Sequence, residues 1–153
     1  MARYFLILVV LMAVIACDDD TWKGSQVFAD LEWSALSNGS MFFNGAKRYC
    51  DDMGGRLPTV DELRKVIINC PGSTYGGACQ ITDSCLDAEC WSEDCHCDGS
   101  AGLYSALGDE DILLWSSSIG RPYDGSIWRV NFYSASVDRR DKATYLFHVR
   151  CVR

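Results

Sequence analysis

Nine cysteines in 153 residues constrain this chain more than any other feature. One of them, Cys17, follows an apolar N-terminal segment and is considered separately below. The other eight form an even set: Cys50, Cys70, Cys79, Cys85, Cys90, Cys95, Cys97 and Cys151. An even cysteine count in an exported chain is typical of a disulfide framework, because disulfides persist in oxidising compartments. We therefore predict an exported domain held by disulfide bonds.

The first sixteen residues predict export. Arg3 gives a positive start, and the apolar run over residues 4–16 is too short to span a bilayer, which needs about 20 apolar residues. Val14-Ile15-Ala16-Cys17 matches a bacterial lipobox, so we expect residues 1–16 to be a lipoprotein signal peptide and Cys17 to be lipidated. The alternative is an ordinary secretory peptide with an incidental cysteine. The lipobox predicts a lipid-anchored protein of the bacterial cell envelope, at the outer membrane or cell surface, with the membrane as a partner.

The remaining chain has the size of one domain. We expect a lipidated N-terminus and tether over residues 17–26 and a folded domain over residues 27–153. The formal net charge of −7 argues against a nucleic-acid partner, because phosphate binding needs a basic surface.

Residues 45–70 predict two short helices. The first carries an apolar stripe at helical spacing: Ala46, Tyr49, Cys50 and Met53. Cys50 thus lies on a buried face and suits a disulfide to another core element. The second helix should begin with a capping box of Thr59 and Glu62. Its buried stripe is Val60, Leu63, Val66 and Ile67.

The rest of the regular structure reads as strands. We expect a first strand over residues 27–34, a turn over 37–40 and a further strand near 112–117. Alternation at 128–132 predicts a half-buried strand, and residues 138–142 read as a charged turn. In the last segment, Phe147, Val149 and Cys151 share one face, which favours a buried position for that cysteine.

A run of motifs resembles a known family. The motifs are Tyr-Cys at the end of the first helix, Gly-Arg-Leu-Pro-Thr-Val-Asp-Glu-Leu-Arg, Leu-Trp-Ser-Ser-Ser, Trp-Arg-Val-Asn-Phe and Val-Arg-Cys-Val-Arg. In this order they resemble the Lcl C-terminal domain family, over residues 31–153. The resemblance implies an α+β, C-type-lectin-like fold with two helices packed on a small twisted antiparallel sheet. It also implies a disulfide between Cys50 and Cys151, and little about activity.

If that bridge forms, six cysteines remain within residues 70–97, enough for three local bridges with fifteen possible pairings. We interpret residues 70–104 as a long cysteine-rich loop insertion. Long loops inside compact domains are usually functional or disordered, and the cysteines should keep this one ordered. Residues 66–120 contain nine acids and no lysine or arginine, whereas residues 121–153 contain seven bases against three acids.

The sequence signals for metal-binding and catalytic residues are weak. Cys90, Cys95, His96 and Cys97 resemble a zinc cluster only loosely, because paired spacings are missing. The acidic run 109–111 contains no calcium-loop pattern and reads better as a solvated acidic face. Only two histidines occur, and no G-x-S-x-G motif does. We therefore expect no metal, no cofactor and no enzymatic activity.

Ligand contact through loops is the better hypothesis. Aromatic side chains suit stacking on sugars or anchoring of proteins, and arginines suit sulfated or carboxylated groups. The candidate residues are Tyr75, Trp91, Tyr104, Tyr123, Arg139 and Arg140. We predict a surface module that binds a glycan or a protein through its long loop. The alternative is a structural envelope lipoprotein that acts by protein association, without a soluble ligand.

Overall fold

The computed structural model describes residues 22–97, 103–120 and 125–153. The predicted signal peptide, Cys17 and Tyr123 lie outside the described residues. The described chain is α+β, as predicted. In order, its elements are β1 (Gln26–Phe28), β2 (Leu31–Trp33), α1 (Phe43–Asp52), α2 (Val60–Lys65), β3 (Leu113–Ile119), β4 (Ser126–Asn131) and β5 (Ser136–Asp141). Two single 3-10 turns, Ala88–Cys90 and Glu93–Cys95, precede β3.

Both predicted helices form, but α2 is shorter than predicted: it ends at Lys65, so Val66 and Ile67 follow the helix. α2 begins with the expected capping box: the Glu62 amide donates to Thr59 Oγ1 at 3.3 Å, and the Thr59 amide donates to the Glu62 carboxylate at 2.8 Å. These bonds satisfy donors that the first helical turn leaves unpaired. Val60 and Leu63 of α2 are fully buried, as are Val66 and Ile67 just after it, so the helix is held by packing as well as by its cap.

The prediction of one first strand over residues 27–34 is wrong. The structure has a two-stranded hairpin there, with Phe28 paired to Leu31 across a two-residue turn. Ala29 and Asp30 occupy this turn with φ angles of 50° and 62°. Two consecutive positive φ angles are the mark of a type I′ hairpin turn, which usually selects asparagine and glycine. Since neither Ala29 nor Asp30 is asparagine or glycine, the sequence carries no clear signal for this turn.

β3, β4 and β5 form an antiparallel sheet in that order. The predicted charged turn over 138–142 is wrong, because residues 136–141 are the edge strand β5. Its polar composition is typical of edge strands, which carry charge where a central strand would not. β4 is also more buried than predicted. Arg129, expected on a solvated face, is only 5% exposed and pairs with Asp138.

The C-terminal segment lies inside the domain. Phe147 forms an isolated antiparallel β-bridge with Met41, and Val152 forms such β-bridges with both Trp33 and Arg56. Arg150, predicted on the outer side of a last strand, is 5% exposed. This segment therefore joins the N-terminal hairpin, the helices and the sheet.

Two hydrophobic clusters form the core. The larger packs α2 against the sheet and the cysteine-rich loop around Trp33, Leu63 and Trp128. The smaller packs α1 against β3 around Phe43 and Trp115. Within the described ranges, no helix has both the length and the apolar character needed to cross a membrane.

Four disulfides tie these parts together. The first joins Cys50 to Cys151 across 101 residues, as the resemblance implies, and is called here the terminal bridge. The other three are nested in the loop: Cys70–Cys97, Cys79–Cys95 and Cys85–Cys90. We call Cys85–Cys90 the short bridge. The sequence left this nested pairing open.

Candidate functional site

The first part of the cysteine-rich loop is organised by one buried side chain, Arg64 of α2, whose relative exposure is 0%. Its guanidinium donates to four loop carbonyls. The bonds reach Ser73 O at 2.9 Å, Thr74 O at 2.8 Å and Cys79 O at 2.9 Å, and a fourth reaches Ile81 O. Thr74 O also accepts from the Gly77 amide at 2.9 Å, but the carbonyls of Ser73, Cys79 and Ile81 depend on Arg64, so this side chain permits the stretch of loop to be buried.

Burial lowers the pKa of Arg64, and the negative charge of Asp61 and the hydroxyl of Tyr75 oppose that change. Arginine nevertheless stays protonated in proteins. The charge therefore remains in place to hold the four carbonyl oxygens.

The later part of the loop is fixed on the sheet. The Trp128 indole donates to Leu86 O at 3.0 Å, and the Cys97 amide donates to Ser134 O at 2.9 Å. The side chain of Ser73 donates to Ala135 O at 2.5 Å. These bonds hold the 3-10 turn that begins at Ala88 beside β4 and β5.

A pocket of about 310 Å³ opens where this turn faces the edge strand. Its lining residues are Ala88, Trp91, Trp128, Asp138, Arg139 and Arg140. Trp128 is 1% exposed, whereas Trp91 is 40% exposed. Arg139 is the register partner of Trp128, so both side chains lie on the same face of the sheet. We call this cavity the Trp91 pocket.

Positive charge dominates the pocket. Arg129 binds Asp138 through two contacts, at 2.7 and 2.8 Å, so the one carboxylate among the described lining residues is already matched by a buried guanidinium. Arg140 lies 3.5 Å from the same carboxylate and also donates to Arg139 O at 2.9 Å. Burial lowers the pKa of Arg129, and the attraction of Asp138 opposes that change. Two guanidinium groups thus lie against one carboxylate, and Arg139 adds a further positive charge to the lining, which suits a ligand with a negative group.

Three of the predicted ligand-binding residues meet in this pocket: Trp91, Arg139 and Arg140. Tyr75 does not join them; it is 48% exposed, and Lys65 Nζ lies 5.2 Å from its ring centre. Tyr104 is only 5% exposed and belongs to the larger core cluster, so its predicted ligand role is corrected to a packing role.

Sequence reasoning missed two contributors. Asp138 was assigned to a turn, and Arg64 was not singled out. A signal for Arg64 existed, because it follows Val60 by four residues and so shares the apolar side of α2. A charged residue at such a position points to a buried partner set.

The weak metal candidates have other roles. Cys90, Cys95 and Cys97 are oxidised in disulfides. The His96 ring lies parallel to Trp91, with ring centres 6.4 Å apart. Among the described residues, no group of three or more His, Cys, Asp or Glu side chains is placed to hold a metal ion.

The expected acidic face over residues 109–111 is wrong for Asp109, which is 3% exposed. The Arg150 guanidinium donates to both of its carboxylate oxygens at 2.6 Å, and also to Ser34 O. A buried carboxylate is retained only when paired in this way. Through Arg150, the C-terminal segment is therefore linked to Asp109, which precedes β3, and to Ser34, which follows β2.

Comparison with known proteins adds no assignment: no family model, no curated protein and no solved structure matches this chain.

Proposed function

We propose that this chain is an envelope lipoprotein, acylated at Cys17, whose domain binds a glycan or protein ligand in the Trp91 pocket. The observation that supports this most is the meeting of Trp91, from the disulfide-tied loop, with Arg139 and Arg140, from the edge strand. Four disulfides are compatible with an oxidising, extracytoplasmic location.

The chemistry of the lining supports a binding role. A partly exposed indole stacks on a sugar ring or on an apolar side chain, and its neighbouring guanidinium groups bind carboxylate or sulfate. A volume of about 310 Å³ lies at the lower end of ligand pockets, which suits one sugar unit or one anchoring side chain. The pocket is also prebuilt, because the loop is fixed by Arg64 and three bridges.

We propose binding rather than catalysis. Catalysis would need a nucleophile or acid–base group facing the pocket, and the lining residues that the structure describes include one carboxylate, which already pairs with Arg129. His148 lies elsewhere, with Nδ1 3.2 Å from Ser37 O. A C-type-lectin-like relationship remains a proposal that the family resemblance suggests.

A glycan array on the oxidised chain from residue 18 tests the proposal, with calcium in one arm and a chelator in the other. Wild type should bind in both arms. Trp91→Ala should raise the dissociation constant by about thirtyfold, as expected for the loss of a central aromatic contact. Tyr75→Ala is the matched control, because it removes an exposed aromatic of the same loop outside the pocket.

A folded wild type that binds no glycan, and that crosslinks to no protein in intact cells, contradicts the proposal. Equal loss in Trp91→Ala and Tyr75→Ala places the site elsewhere. A single protein crosslink that survives Trp91→Ala favours the structural alternative.

A further inference from the structure

A second cavity, of about 600 Å³, lies between the start of α1 and the segment after β5. We call it the basic groove; its lining includes Met41, Phe42, Arg48, Lys142 and Leu146. Phe42 and Leu146 are each 49% exposed, which is high for large apolar side chains. None of these residues belongs to the Trp91 pocket or to the predicted site.

The groove combines apolar and cationic groups. Arg48 and Lys142 are its two charged residues, and none of the described lining residues is acidic. Lys47, next to Arg48, is also exposed, whereas the carboxylates of α1, Asp51 and Asp52, lie at the far end of that helix. Aromatic and aliphatic groups beside basic side chains suit the boundary between headgroups and acyl chains of an anionic membrane.

The proposed anchor is within reach of the same plane. Trp22, the first described residue, is fixed at the C-terminal end of α1, where its indole donates to Met53 O at 2.8 Å. α1 has ten residues and so is about 15 Å long, with the groove at its other end. Cys17 precedes Trp22 by five residues, which span at most about 17 Å.

We propose that the basic groove rests on the anionic headgroups of the membrane that holds the Cys17 anchor, with Phe42 and Leu146 entering the interface. This inference rests on the lipid anchor of the proposed function. The formal charge of −7 gives the whole chain no general attraction to an anionic surface, so the groove determines which side faces the membrane. The contact on α1 is made by residues 42–48, because Asp51 and Asp52 at the end of the helix are repelled.

The test uses sedimentation with lipid vesicles of the oxidised, unacylated chain from residue 18, so that it does not depend on lipidation. One vesicle set contains phosphatidylcholine alone, and the other contains added phosphatidylglycerol. Partitioning should require the anionic lipid. Arg48→Gln with Lys142→Gln should lower the partition coefficient by about thirtyfold, at about fivefold for each charge removed near the surface. Lys23→Gln with Lys65→Gln makes the same charge change outside the groove and should have a much smaller effect.

Two further measurements make the result specific. Phe42→Ser with Leu146→Ser should lower partitioning into the anionic vesicles, although it leaves the charge unchanged. All variants should keep wild-type ligand binding in the Trp91 pocket, which separates a failure here from a failure of the proposed function. Equal partitioning of the two double charge variants, equal binding to both vesicle sets, or no binding by folded wild type overturns the inference.

Discussion

Replacing Arg64 with methionine should destabilise the cysteine-rich loop and so lower the free energy of unfolding of the domain. The change keeps a long apolar stem but removes the guanidinium donors to the carbonyls of Ser73, Cys79 and Ile81, whereas Thr74 O keeps its bond from the Gly77 amide. A buried acceptor left without a partner costs about 1–3 kcal/mol. Water can enter the emptied space, so we take the low end for each of the three orphaned carbonyls and expect a loss of about 3 kcal/mol. That is a large part of the 5–15 kcal/mol that typically stabilises a domain.

The assay is guanidinium unfolding of the oxidised protein, followed by tryptophan fluorescence, with thiols counted to verify that all four bridges remain. Arg56→Met is the matched control. Arg56 pairs with Glu62 at 2.7 Å, but its side chain is 50% exposed, so its loss should cost less than about 1 kcal/mol. Arg64→Lys should lie between the two, because one ammonium cannot reach four carbonyls. If Arg64→Met and Arg56→Met have equal free energies of unfolding, the central role of Arg64 is refuted.

Three further predictions concern the bridges, the buried ion pair and the pH dependence. Replacing both cysteines of the terminal bridge by alanine should cost about 2–3 kcal/mol more than the same change in the short bridge, because chain entropy scales with the 101- and 5-residue separations; denaturant titration measures this. Asp109→Asn should cost about 3–5 kcal/mol by leaving Arg150 unpaired, whereas Asp111→Asn should be nearly neutral in the same titration, and equal effects would contradict the ion-pair role. Burial alone would raise the pKa of Glu62, but hydrogen bonds from Arg56 and from the Thr59 amide outweigh burial and lower it. A lowered native pKa adds stability above the unfolded pKa of about 4.3 that is lost as the pH falls through the native value, so acid titration should show a steeper loss in wild type than in Glu62→Gln.

The sequence predicted the features that depend on local patterns. Apolar spacing predicted both helices, although it extended the second past its end at Lys65, and the capping box of Thr59 and Glu62 defined the start of α2, because these signals act within one or two turns. Trp91, Arg139 and Arg140 were also singled out, from residue type alone. Their meeting in one pocket was not predicted, since it depends on which cysteines pair and on the edge position of β5.

The missed features depend on contacts between distant residues. Asp109 and Arg150 are 41 positions apart, so each alone reads as a solvated charge. The β5 strand has the composition of a loop, and its extended form follows from its pairing with β4. Ala29 and Asp30 form a tight turn without the asparagine and glycine that usually mark one. The sequence pattern therefore predicts one continuous strand where the structure has two.

The central claim is that a ligand sits between the loop and the edge strand, and photocrosslinking in cells that make the full chain tests it most directly. A benzophenone side chain would replace Ala88, an exposed pocket residue, or Tyr75, an exposed residue of the same loop outside the pocket. The account predicts an adduct to a glycan or a protein from position 88, none from position 75, and loss of that adduct when Arg139→Gln and Arg140→Gln are added. Equal adducts at the two positions, or none at position 88 in folded protein, would contradict it.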